Sequence, residues 1–183
     1  MTWISLPNTS LAREALIELR SGAPESLVNH SVRCYLLGRE FAARRRLAFD
    51  EEGLFLAAAF HDLGLADGHR DRRGPFTAVG ARTVREFLER HGEDPERADR
   101  LARAIAWHFQ PLPTWKHGPE AGLLQVGAWM DVTGWRRRQI GTAAREVEQA
   151  YPRGDFFWKF PACLVRSFGS IASVWGLTVP PRM

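Results

Sequence analysis

The chain has 183 residues, of which 45% are hydrophobic and 25% are charged, and its formal net charge is +4. These proportions are those of an ordinary globular protein, and they exclude a disordered tail or a long coiled coil as the main architecture. No apolar run approaches the roughly 20 residues that cross a bilayer, and the first residues lack the basic-then-apolar pattern of a secretion signal. We therefore expect a cytoplasmic protein with no membrane partner, folded as one domain over residues 1–183.

Basic residues are scattered among acidic ones along the chain. The two short clusters, at residues 44–46 and 136–138, are typical of solvated helix faces, so no nucleic-acid partner is expected. Cys34 and Cys163 lie far apart and show no CxxC spacing, which favours two reduced thiols over a disulfide or a zinc knuckle.

Apolar residues recur every three to four positions, interrupted by glycine and proline, and this pattern predicts helices along the whole chain. Ser10 and Asp50 are the predicted N-caps of the first and third helices, Gly64 is the predicted stop of the third, and Pro75 suits the first position of the fourth. No stretch shows the sustained two-residue alternation of a strand. The fold class is therefore all-α, a compact single-domain bundle. The predicted helices span residues 11–20, 26–46, 51–63, 75–90, 95–110, 120–130, 135–151 and 155–168.

Four of these helices carry an imidazole or a carboxylate on or beside an apolar segment. His61 and Asp62 end the most apolar helix, where such groups cost free energy unless they are paired or bound to a cation. His30, His108 and Asp131 lie in or directly after apolar stretches of three other helices. Metal sites in helix bundles are built from inward-facing side chains of different helices, and two neutral imidazoles with two carboxylates would neutralise a divalent cation. Zinc with a water in an open position suits this mixed set of ligands, and iron or manganese suits it too.

The order His…His-Asp…His…Asp across helices resembles the HD-domain superfamily of metal-dependent hydrolases. Residues 29–35, NHSVRCY, look like the first-histidine motif of its cyanamide hydratase-like branch, and residues 60–64, FHDLG, look like the HD motif of that branch. Residues 6–15, LPNTSLAREA, and residues 150–153, AYPR, are similar to the same branch. The resemblance covers most of the chain and implies a helical bundle of the HD-domain type.

The resemblance implies that His30, His61, Asp62 and Asp131 bind one divalent metal ion, with zinc favoured and iron or manganese as alternatives. Water would complete the shell. His108 would stand nearby to orient the substrate or move a proton, so His108 and Asp62 are the predicted catalytic residues.

Two-metal members of the superfamily commonly carry one more histidine at the start of the helix after the HD motif. Phe76 occupies that place here, and a phenyl ring cannot coordinate a cation, so one metal is expected and oxygenase chemistry is disfavoured. Phe76 and Trp107 are the predicted substrate-binding residues, since aromatic side chains near the motifs can line a small pocket. Arg33, beside the ligand face of its helix, is expected to support the site.

Three functions stay open on the sequence. In the first, a metal-activated water attacks a small nitrogenous, nitrile-like substrate and His108 protonates the developing anion. In the second, the same water hydrolyses a nucleotide or phosphate ester whose phosphate is held by Arg70, Arg72 and Arg73. In the third, the chain is a non-catalytic module that binds a metal or nucleotide, which the complete ligand set disfavours. The expected partner is a small-molecule substrate, and a homo-oligomer is left open.

Overall fold

A computed structural model describes residues 3–67, 74–111 and 115–155, and every regular element in these ranges is helical. The all-α prediction is therefore confirmed. No helix in the described ranges has both the length and the apolar character needed to cross a membrane. The α-helices are α1 (Ser10–Gly22), α2 (Glu25–Arg45), α3 (Glu51–Phe60), α4 (Phe76–Arg90), α5 (Pro95–Trp107), α6 (Pro119–Thr133) and α7 (Ala143–Ala150). Short 3-10 helices lie at Leu63–Leu65, Trp115–His117 and Arg137–Ile140.

Helix α3 lies at the centre of the bundle and contacts α1, α2, α4, α5 and α6. All its residues from Gly53 to Phe60 are buried, because a helix that is apolar on every side has no face suited to water. The Asp50 side chain caps its first turn by accepting a hydrogen bond from the Gly53 N–H at 2.9 Å, as predicted. The chain therefore carries the His61-Asp62 pair into the middle of the molecule.

Helices α2 and α6 cross at close range because glycine occupies the crossing on both of them. A Cβ at Gly127 of α6 would overlap the Cys34 carbonyl oxygen and lie 2.9 Å from the Cys34 carbonyl carbon. A Cβ at Gly38 of α2 would lie 2.7 Å from the Leu123 carbonyl oxygen. Only glycine lets the two backbones approach in this way, and the crossing sets the distance between side chains of α2 and α6.

Helix ends differ in detail from the sequence prediction. Pro75, predicted at the first position of the fourth helix, is the N-cap of α4. Thr9 caps α1 instead of Ser10, since the Thr9 hydroxyl accepts the Ala12 N–H at 3.1 Å. Gly64 does not stop α3, which ends at Phe60. Gly64 belongs to the following 3-10 turn, where a Cβ would lie only 2.6 Å from the Phe76 carbonyl oxygen, so its role is to admit the start of α4.

The helix predicted over residues 135–151 is in fact two elements. A 3-10 turn, Arg137–Ile140, precedes α7, and Gly141 between them has a φ of 60°, which breaks any continuous helix. The helix predicted over residues 155–168 lies outside the described residues from position 156 onward.

Candidate metal centre

Five predicted site residues meet in the interior, where α2, α3, α5 and α6 converge. His30 lies within α2, His61 and Asp62 directly follow α3, His108 directly follows α5, and Asp131 lies in the last turn of α6. Each of the five is at most 3% exposed. The structure therefore brings these separated residues together.

Three ligand-type atoms at the centre form a regular triangle. The His30 Nε2, His61 Nε2 and Asp62 Oδ2 atoms are each 3.3 Å from the other two. Two ligands bound about 2.0–2.1 Å from a tetrahedral zinc ion lie about 3.3–3.4 Å apart, so this spacing suits atoms that share one cation. The Cys34 thiol is a further neighbour, with its Sγ 3.5 Å from His30 Nε2. It is a free cysteine, as expected.

One carboxylate oxygen at the centre has no hydrogen bond. Asp62 Oδ1 is buried and unpartnered, and it lies 3.5 Å from His108 Nε2. An unsatisfied buried oxygen of a charged group costs at least about 1–3 kcal/mol, and a cation or a bound water would remove that cost. His61, Asp62 and His108 form one group of side chains that could hold a metal ion, and His30, Cys34 and His61 form another.

Backbone carbonyls fix the two histidines that follow α3 and α5. His61 Nδ1 donates to the Ala58 carbonyl at 2.8 Å, and His108 Nδ1 donates to the Ile105 carbonyl at 2.7 Å. Because a carbonyl accepts only from a protonated nitrogen, Nδ1 of each ring carries a proton, and Nε2, which faces the cluster, is the atom that can offer a lone pair to a metal ion. This arrangement is typical of metal-binding histidines.

Asp131 contacts the opposite edge of the His30 ring. Its Oδ2 accepts from His30 Nδ1 at 2.7 Å, while the Arg33 guanidinium binds both carboxylate oxygens at 2.8 Å each. Arg153 adds a longer contact, with Nη2 3.2 Å from Oδ1. Asp131 thus orients His30 in this structure, and its assignment as a direct ligand stays a prediction. Arg33 supports the site as expected, through this carboxylate.

The electrostatics of the cluster favour a positive charge at its centre. Burial lowers the pKa of His61, but Asp62 and Cys34 outweigh burial and raise that pKa to about 10. Burial raises the pKa of Asp62, yet His61, His108 and His30 hold it well below its usual range. Protons on these imidazoles and a divalent cation therefore compete for the same negative potential, so metal binding releases protons.

The pKa of His108 is lowered, in contrast to that of His61. Burial is the largest influence on the imidazole, and it lowers the pKa of His108 below the usual value in spite of the nearby Asp62. The ring is therefore mostly neutral at pH 7, and a neutral imidazole with a free Nε2 can accept a proton and return it.

A small cavity of about 40 Å³ opens on the cluster. Four polar residues of the cluster line it: His30, His61, Asp62 and His108. The rest of its lining, which we call the apolar wall, consists of Phe109, Ala128, Trp129 and Val132.

The cavity wall includes two aromatic residues, Phe109 and Trp129, that were not among the predicted substrate-binding residues. Phe109 directly follows His108, and Trp129 lies two positions before Asp131, so proximity to the motifs was the available signal. The two predicted substrate-binding residues lie elsewhere: Phe76 packs edge-on against the His108 ring at 5.7 Å, and Trp107 stacks on His117 at 5.0 Å. Neither is among the described residues that line the cavity.

Comparison with known families agrees with this geometry. The sequence profile of the HD domain family matches residues 27–150, more than half of the chain, and this range includes all five clustered residues. The chain belongs to the HD domain family. HD domains are generally metal-dependent hydrolases, and the His/Asp cluster fits a metal site. Among curated proteins, none matches the chain. The likeness to the cyanamide hydratase-like branch therefore rests on the motifs alone.

Proposed function

We propose that this HD domain uses one metal-activated water to hydrate or hydrolyse a small nitrogenous substrate with a nitrile-like carbon. The observation that carries the proposal is the cavity, whose lining combines the His/Asp cluster with a wall of four apolar residues. No lysine or arginine is among the described residues that line it. An uncharged molecule can leave water and enter such a place at low cost, whereas a charged one cannot.

The chain's own residues divide the chemistry between them. A divalent ion held by His30, His61 and Asp62, with Asp131 as a further candidate ligand, would make a bound water nucleophilic near neutral pH. Zinc is favoured, with iron or manganese as alternatives. His108 Nε2 takes a proton from the attacking water and returns it to the substrate nitrogen. One water is thereby added across the carbon–nitrogen multiple bond, and no other reactant is needed.

Phosphate-ester hydrolysis is the principal alternative. A phosphate needs cationic or backbone donors, and the nearest buried guanidinium, Arg33, is already bound to both oxygens of Asp131. Arg70, Arg72 and Arg73, which the sequence offered for phosphate binding, lie outside the described residues. Phosphohydrolysis is therefore kept as an outcome of the test.

The test combines metal analysis with turnover. Wild type, His61→Ala and the control His117→Ala, which lies outside the cluster, are purified without chelators. About one ion per chain is expected in wild type and in the control, and its loss in His61→Ala. Each protein is then incubated with cyanamide, acetonitrile and a panel of phosphate esters. Turnover of cyanamide or acetonitrile supports the proposal. Release of phosphate would show a phosphohydrolase instead. Wild type that contains no metal would contradict an enzymatic role and favour a non-catalytic binding module.

A further inference from the structure

The apolar wall of the cavity contains a stacked pair of aromatic rings. The Phe109 and Trp129 centroids are 6.3 Å apart, with an interplanar angle of 19°. Both residues are partly exposed, so the pair lies where the cavity meets the surface. We propose that Phe109 and Trp129 determine substrate specificity by admitting only small, flat or linear, uncharged molecules to the metal centre. This inference rests on the proposed function and names the substrate class of the same site.

The pair is held in place by its neighbours before any substrate binds. The Phe109 ring packs edge-on against the buried Phe76 ring at 5.5 Å. The Gln125 side chain donates from Nε2 to the Gln110 carbonyl at 2.6 Å, which ties the turn after α5 to α6. Trp129 belongs to α6 itself. A wall carried by a helix and a tethered turn changes little on binding, so its spacing acts as a fixed limit.

The size of the cavity sets that limit. Its volume is about 40 Å³. A cavity of about 150 Å³ is known to hold one benzene molecule, so this one holds only a group of a few heavy atoms. A cyano or amide group fits beside His108, and a phenyl group does not fit while both rings keep their positions.

The aromatic faces also select for charge. The face of an aromatic ring carries the negative part of its quadrupole, so it attracts the π-system or positive edge of a neutral group and repels an anion. An anion would also lose its hydration, and among Phe109, Ala128, Trp129 and Val132 only the Trp129 indole carries a side-chain N–H donor. Phe76 supports Phe109 and His108 from behind, which gives it a positioning role instead of the substrate contact predicted from the sequence.

The test enlarges the cavity by shortening side chains of its apolar wall, and it measures binding separately from turnover. Trp129→Ala removes the larger ring, Phe109→Leu tests the other half of the pair, and Trp135→Ala, 45% exposed and outside the cavity lining, is the matched control. Acetonitrile and benzonitrile serve as probes. Binding to the metal-loaded proteins is followed by ligand-observed NMR, kcat and KM are measured for both nitriles, and metal content is checked in each variant.

Wild type and Trp135→Ala are expected to bind acetonitrile and exclude benzonitrile. Trp129→Ala is expected to bind benzonitrile, to gain about tenfold or more in kcat/KM for it, and to show a raised KM with little change in kcat for acetonitrile. Phe109→Leu should show smaller changes in the same direction, both in benzonitrile binding and in kcat/KM. If Trp129→Ala loses its metal, the result for Phe109→Leu tests the inference. Unchanged size selection in a metal-loaded wall variant would overturn the inference. Size-dependent binding without turnover of either nitrile would instead overturn the proposed function and leave the inference standing.

Discussion

Replacing Gly127 with alanine perturbs the crossing of α2 and α6 on which the His30–Asp131 contact depends. The added Cβ would overlap the Cys34 carbonyl oxygen, and its three nearest neighbours are all backbone atoms of Cys34, so no side chain can swing aside. The helices must separate by about 1 Å to restore ordinary contact. Added to the present 2.7 Å between His30 Nδ1 and Asp131 Oδ2, such a shift breaks that hydrogen bond, because N–H···O bonds rarely exceed about 3.2 Å.

The expected loss of stability follows from two opposing effects. Alanine is favoured over glycine inside a helix by about 0.8–1.0 kcal/mol. Overpacking costs about 1–3 kcal/mol, and the upper end applies here because backbone meets backbone. The net loss in the free energy of unfolding is about 2 kcal/mol, or a fall of about 4–8 °C in Tm for a domain of this size. Loss of the hydrogen bond from His30 to the Asp131 carboxylate should also weaken zinc binding by about 10–100-fold.

The assay compares Gly127→Ala with Gly122→Ala on the same helix. The three atoms nearest to a Cβ at Gly122 all belong to the Trp115 side chain, which is 37% exposed and can rotate away. This control should change the free energy of unfolding by no more than about 1 kcal/mol and leave zinc affinity unchanged. Urea unfolding gives the stabilities, and competition with a chelating dye gives the affinities. Equal effects of the two substitutions, or full zinc affinity in Gly127→Ala, would refute the reasoning about the crossing.

Two further substitutions test a buried ion pair beside the cluster and a histidine at the end of α4. Asp131→Asn should lower the free energy of unfolding of the metal-free protein by about 3–5 kcal/mol in urea, because Arg33 then stays buried without an opposite charge. The Arg33→Met, Asp131→Leu double variant should recover much of that loss, and a double variant as unstable as the single one would contradict the account. His91 at the end of α4 donates to the Phe87 carbonyl and to Glu14, and these two bonds raise its pKa. A raised folded pKa means that this stabilisation is full below about pH 6.5 and is lost as pH rises through the folded value, so His91→Gln should destabilise more at about pH 5.5 than at about pH 9. A stability difference that does not vary with pH would count against the bonds to His91.

Most of the secondary structure and the membership of the cluster could be predicted from the sequence. The apolar run before His61 predicts a central helix because no solvent-facing side chain interrupts it, and α3 is buried accordingly. His30, His108 and Asp131 were identifiable because polar groups in apolar segments need partners. Arg33 was identifiable for its position beside them, and it proves to be almost fully buried against Asp131.

The rest depends on contacts between distant segments, which periodicity does not encode. The approach of Gly38 and Gly127 to the opposite backbones requires the crossing of α2 and α6 to be known. The same limit explains why Trp107 was preferred to Trp129: the two residues sit in different helices near the motifs, and only the packed structure shows which ring reaches the cavity. Gly141 was visible in the sequence, but its left-handed φ was not.

The bonds from His61 to Ala58 and from His108 to Ile105 have a consequence for how this centre can change over time. The last carbonyls of an α-helix lack intrahelical partners, and here each imidazole donates to one of them three residues back, although the Ile105 carbonyl also accepts the His108 backbone N–H at 3.3 Å. Nδ1 of each ring therefore hydrogen-bonds the end of a helix, while Nε2 faces the cluster that could hold a metal ion. A lineage that abandoned the metal would still need something to close α3 and α5. Selection on folding alone therefore favours keeping both imidazoles, and with them side chains that could hold an ion.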